Sequence, residues 1–200
     1  VIELKNLYLI CGQSGTGKST LAEKLEQEYN IKQVLSYTTR KPRYEGENTH
    51  IFISDRRFDK LKDIVAFTEF DGHRYCATKA QLDDCGTYVI DPEGIDTLRK
   101  NYTDKPLKVI YLKAHAGIRY ERMKERLLKA NPDIGVCSTA SLDRIAHDSH
   151  AFYFYEHGLA KIDLTVKNEG DIDELVRQVY EFIEKTEAET EDKEVAETAE

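Results

Sequence analysis

Residues 12–19 read Gly-Gln-Ser-Gly-Thr-Gly-Lys-Ser, a complete GxxxxGK[ST] loop. Glycines let consecutive backbone N–H groups turn inward around a polyphosphate, Lys18 reaches its β- and γ-phosphates, and the Ser19 hydroxyl sits on Mg²⁺. Gly12, Ser14, Gly15, Thr16, Gly17, Lys18, Ser19 and the adjoining Thr20 are therefore the expected contacts of a nucleoside triphosphate. A second segment, Ser36-Tyr37-Thr38-Thr39-Arg40-Lys41-Pro42-Arg43, gathers hydroxyls and two arginines. Planar guanidinium forks suit bidentate phosphate contacts, and hydroxyls add neutral donors. Taken alone the segment reads equally as a solvated basic loop; beside a phosphate loop, a second phosphate site is favoured. Asp91 closes the apolar run Tyr88-Val89-Ile90. It is either an acid that organises Mg²⁺ or the N-cap of a helix with Pro92 at its first position, and both roles can hold at once.

Apolar periodicity and turn residues predict the elements that position these groups. Strands are expected at 6–11, 33–36, 50–53, 65–69, 73–76, 86–90, 107–112 and 161–166, and helices at 18–29, 55–62, 78–84, 92–100, 116–130, 141–157 and 171–186. Strands and helices alternate over the first 35 residues and again from residue 86, which predicts an α/β fold with a parallel core sheet wrapped by helices. Ligands of such sheets lie outside the carboxyl ends of the strands, so the loops after the first and second strands face one crevice. The stretch 36–84 has no room for crossover helices and is expected to form a small antiparallel insert. Residues 131–140, with Pro132 and Gly135, interrupt two helices as either a lid or a plain connection, the lid being favoured.

Composition narrows the function classes. No apolar stretch approaches the ~20 residues of a membrane span, and no charged-then-apolar leader opens the chain, so a cytoplasmic protein with no membrane partner is expected. The net charge of −8 is concentrated in residues 185–200, which carry −5, leaving −3 on the rest. That balance speaks against a nucleic-acid-binding surface. Residues 187–200 are expected to be a frayed helical extension or a solvated acidic tail without a catalytic part. Cys11, Cys76, Cys85 and Cys137 lack metal-ligand spacing and read as reduced, buried thiols. Asp143, His147 and His150 read as the polar face of a helix, and Phe152 to Tyr155 as packing.

The segment from Ser36 to Arg43, then Gly46-Glu47 and His50-Ile51-Phe52-Ile53-Ser54, resembles the GMP-binding segment of guanylate kinases. The resemblance continues through Phe67-Thr68-Glu69-Phe70, Gly72-His73-Arg74-Tyr75, Val89 to Gly94, Arg122 to Arg126 and Lys167-Asn168. It implies a P-loop kinase whose core comprises residues 1–35 and 85–186, with a nucleoside-monophosphate (NMP) insert at 36–84 and a helical lid at 127–142. It further implies transfer of a phosphoryl group from ATP, with Mg²⁺, to GMP or dGMP. Ser36, Arg40, Arg43 and Tyr75 then hold the GMP phosphate, and Glu69 accepts hydrogen bonds from guanine N1–H and N2–H₂. Lys18, Arg40, Arg126 and Arg144 act on the transferring group, Asn168 contacts adenine, and Ser19 with Asp91 serves the metal.

The chain departs from the family pattern at several places. His50 stands where a phosphate-binding tyrosine is usual, and its imidazole would make binding pH-sensitive near neutrality. Ala77 replaces a serine that reads guanine, with Thr78 as the neighbouring substitute, and Val89 replaces an acid near the base. Two further readings stay open: a P-loop kinase for another small phosphorylated acceptor, and a non-catalytic interaction module of the same fold.

Overall fold

A computed structural model describes residues 4–130 and 139–198, without the side chains of 130, 139–144 and 197–198. The apolar run after Asn6 forms β1 (Leu7–Gly12), every residue of which is buried. It lies between β6 (Thr87–Val89) and β7 (Leu107–Lys113), and β8 (Leu164–Lys167) completes a four-stranded parallel sheet in the order β6-β1-β7-β8. Because both faces are covered, β1 needs apolar residues at every position rather than at alternate ones. Leu7, Leu9 and Cys11 face a core shared with α4 (Pro92–Asn101) through Ile95 and Leu98. Tyr8 and Ile10 face the opposite core, filled by α1 (Lys18–Tyr29) and α8 (Ile172–Thr198). Cys11, Cys76 and Cys85 are free, buried thiols; Cys137 lies outside the described residues.

The segment 33–36 differs from its expected strand. It touches the core sheet through a single bridge, Gln33 to Thr87, and then turns away. The next strand, β2 (Tyr37–Thr38), belongs to a second sheet with β3 (Ile51–Phe52), β4 (Ile64–Phe70) and β5 (His73–Thr78), ordered β3-β2-β5-β4. That sheet is mixed rather than antiparallel. β2 pairs with β5 antiparallel but with β3 parallel, because the connection 39–50 is long enough to return the chain in the same direction. Short helices α2 (Asp55–Phe58) and α3 (Lys79–Asp83) cap the insert, and α4 packs against β4 to tie it to the core.

Two further elements depart from expectation. The helix anticipated at 141–157 is divided into α6 (Thr139–Ala151) and α7 (Tyr153–Glu156) at Phe152, whose buried ring stacks on Tyr111. Of the lid at 127–142, residues 131–138 lie outside the described residues, between α5 (Ala116–Ala130) and α6. The acidic residues after 186 continue α8 to Thr198. Glu187 explains the continuation: its carboxylate accepts the backbone N–H of Lys5 at 2.6 Å, that of Asn6 at 3.1 Å and the Tyr8 hydroxyl at 2.8 Å. Among the described residues, no helix is long and apolar enough to cross a membrane.

Candidate active site

The turn from β1 to α1 carries the GxxxxGK[ST] residues. Gly15 and Gly17 have φ of +79° and +95°, the left-handed region that favours glycine. A Cβ on Gly15 would stand 2.7 Å from the Arg119 carbonyl oxygen, and one on Gly17 would overlap the Asn168 amide. Thr16 is buried and its hydroxyl donates to the Gln13 carbonyl at 2.8 Å, so it shapes the loop from within. Lys18 Nζ donates to the Gly12 and Gln13 carbonyls at 2.7 and 3.1 Å, curled over the loop. Helix α1 starts with neither a side-chain cap nor an acid in its first turn, and Ser19 and Thr20 are exposed there. The positive dipole end of the helix makes this a favourable place for an anion.

Asn168 and three charged residues hold this loop from behind. Asn168 is 4% exposed and donates through Nδ2 to the Thr16 carbonyl at 2.8 Å, while Arg122 reaches the Gly15 carbonyl at 3.3 Å. The side chain of Asn168 therefore supports the phosphate loop. Arg119 and Asp148, which sequence reasoning passed over, grip Ser14 from α5 and α6. Their partners are a backbone N–H and a backbone carbonyl, which leave no mark in a sequence.

Two cavities meet at the loop, and Lys18 lies on the walls of both. The one on the α5 side, about 610 Å³, is lined by Gly15, Gly17, Ser19 and Thr20 from the loop and by Arg122, Arg126 and Lys129 from α5. The other, about 540 Å³, lies between the core and the insert. Its wall includes Ser36, Arg43, His50 and Tyr75, Glu69 and Phe70 of β4, Val89, and His147 and His150 of α6. Asp91, Ser14 and Lys18 are on the same wall. His147 packs edge-on against Phe70 with ring centroids 4.5 Å apart. The side chain of Arg144, and that of Asp143, lie outside the described residues.

Two expected contacts of the acceptor stand elsewhere. Arg40 is not on the cavity wall: its guanidinium forks onto Glu47 at 2.8 and 3.1 Å, and that carboxylate also accepts the Arg43 N–H at 2.6 Å and the Thr49 hydroxyl at 3.0 Å. The pair holds the loop that presents Arg43. Thr78 caps α3, exchanging hydrogen bonds with Gln81 in a capping box, and lies off the wall as well. Ala77 is wholly buried.

Charge states follow from these surroundings. Burial pushes the Glu47 carboxyl up, but the hydrogen bonds from Arg40 and the Arg43 N–H, with both positive charges, win and bring it down to about 2. Burial, reinforced by the positive charges of Arg40 and Arg43, lowers His50 to about 4. Burial and the two arginines thus favour the neutral imidazole in the ligand-free protein, and its Nδ1 lies 2.9 Å from Ser36 Oγ. Burial raises Asp91 above the ordinary 3.8 despite the Gly94 N–H it accepts at 2.7 Å. Asp91 is thus the N-cap of α4 as well as a carboxylate beside Lys18.

The family described as "AAA domain" matches residues 9–133. A guanylate kinase of Campylobacter jejuni (strain RM1221) is 37% identical over 141 residues, 64% of this chain and 66% of the relative. One of Helicobacter pylori (strain 26695) is 33% identical over the same length and shares. The chain thus spans slightly less than two thirds of the length of these relatives. The crystal structure of guanylate kinase from Anaplasma phagocytophilum shares the fold, with a TM-score of 0.58 and 20% identity over 94% of this chain and 88% of that one. With a phosphate loop between β1 and α1 and a family match over more than half its length, the chain belongs to the AAA domain family, with guanylate kinases as its curated relatives.

Proposed function

We propose that the protein transfers the γ-phosphoryl group of ATP to GMP or dGMP, giving ADP and GDP or dGDP. The observation that carries this reading is the placing of Lys18 on the walls of two cavities at once. One cavity offers an uncapped helix N-terminus with Arg122, Arg126 and Lys129, a setting for the ATP phosphates. The other offers Ser36, Arg43, His50 and Tyr75 to a monophosphate, and Glu69 to a base. A carboxylate there accepts guanine N1–H and N2–H₂ together, a donor pair that adenine lacks.

A phosphate oxygen of GMP attacks the γ-phosphorus as the bond to the β-phosphate oxygen breaks, and ADP leaves with that electron pair. No enzyme nucleophile is required. The chain's work is positioning and charge neutralisation: Lys18 leaves its two loop carbonyls to meet the phosphates, while Arg43 and Arg126 approach from opposite cavities. Arg40 acts on the acceptor through the Glu47-held loop rather than by touching it. Ser19 and Asp91 are hard oxygen donors suited to Mg²⁺, which when bound neutralises charge on the β- and γ-phosphates.

Calorimetry with the Mg²⁺ complex of a non-hydrolysable ATP analogue, in the presence and absence of saturating GMP, tests the two-cavity reading. Each nucleotide is expected to bind with a stoichiometry of one while the other is present. Mutual exclusion would mean a single nucleotide site and would defeat it.

A further inference from the structure

Arg119 and Asp148 form an ion pair of 2.9 Å whose side chains are 4% and 5% exposed. Burying two charges is unfavourable unless their remaining donors and acceptors are satisfied. Here they are satisfied almost wholly by the phosphate loop. Arg119 Nε donates to the Ser14 carbonyl at 2.9 Å and Nη1 donates to the Gln13 side-chain oxygen. Asp148 accepts the Ser14 N–H at 2.7 Å and the Ser14 hydroxyl at 3.3 Å. One residue of the loop is therefore held at both its N–H and its C=O, by side chains from two helices. The α5 backbone presses on the next residue, since a Cβ at Gly15 would come within 2.7 Å of the Arg119 carbonyl.

The location gives the clamp its consequence. Ser14 and Asp148 lie on the wall of the acceptor cavity beside Lys18, where two phosphates must approach. A bare carboxylate at that point would repel both, and the guanidinium salt-bridged to it cancels that charge. We infer that Arg119 and Asp148 are positioning residues for phosphoryl transfer, fixing the Ser14 peptide so that donor and acceptor phosphates meet in line. This inference rests on the phosphotransferase reading above.

The test is the double variant Arg119→Met/Asp148→Leu, since a buried ion pair replaced by apolar side chains of similar volume keeps its fold. Its kcat with ATP and GMP is expected to fall about 100-fold. Its dissociation constant for Mg-ATP and its KM for GMP are expected to stay within about three-fold of the parent. Hydrogen exchange at the Ser14 amide is expected to quicken. Arg119→Lys keeps a charge for Asp148 but not the fork to Ser14 and Gln13, and is expected to lose about tenfold in kcat; it carries the test if the double variant does not fold. Turnover at the parental rate in either variant, or an equally protected Ser14 amide, overturns the inference. A parent protein inactive toward every nucleoside monophosphate defeats the phosphotransferase reading instead, and Ser14 exchange under Mg-ATP then decides whether the clamp exists.

Discussion

Lys18 rests its ammonium on the carbonyls of Gly12 and Gln13, and on the proposed reading it leaves them to meet the phosphates. Lys18→Ala removes that charge without opening the core. A kcat lower by about 10²- to 10³-fold, with an unchanged melting temperature, is the expected result. His50 carries a different prediction. Its folded pKa of about 4 lies below the ordinary 6.5, so the folded protein binds fewer protons here than the unfolded chain. The contribution to stability is complete above pH 6.5 and is lost as pH falls through about 4. Imidazole resonances followed by NMR should show the His50 midpoint near 4 in the free protein; a midpoint near 6.5 would mean that burial and the two arginines do not govern the ring.

At the scale of elements, the loop 39–50 is organised by the buried Glu47 carboxylate and the C-terminal part of α8 by the half-buried Glu187. Glu47 gathers Arg40, the Arg43 N–H and Thr49, with its side chain 1% exposed. Glu47→Gln leaves the Arg40 charge uncompensated and is expected to cost about 3 kcal/mol in urea unfolding. It should also raise the KM for GMP, because Arg43 loses its anchor. Glu187 ties α8 to the backbone of Lys5 and Asn6. Glu187→Ala is expected to lower stability by about 2 kcal/mol and to leave turnover intact, since it is on the wall of neither cavity. These two elements also mark what the sequence could and could not disclose. β1, α1 and the phosphate loop were legible because burial on two faces and left-handed φ demand particular residue types. β2 was not, for two residues carry no period and their pairing follows from the long loop beside them. The helical run after 186 read as solvated because its charge is visible and its backbone partners are not. Arg40 and Arg43 look alike in sequence; in the fold both reach Glu47, Arg40 with a closer two-point fork and Arg43, which is on the cavity wall, at 3.3 Å.

The whole molecule is a rigid parallel sheet with two cavities opening at the carboxyl end of its central strand, one beside α5 and one against the insert. Lys18 is common to both, Asp91 and the Arg119–Asp148 pair lie at the junction, and the insert hangs from the core through β4 and α4. On the proposed reading that layout takes a triphosphate and a monophosphate in adjoining cavities and assigns base choice to Glu69, since Thr78 caps α3 and Ala77 is buried. Release of ADP from Mg-ATP, measured in parallel with GMP, dGMP, AMP, CMP, UMP and dTMP, examines donor, acceptor and base together. A two-nucleotide kinase that reads guanine through Glu69 turns over GMP and dGMP fastest. Equal or greater turnover with a pyrimidine nucleotide, or no ADP with any of the six, would contradict it.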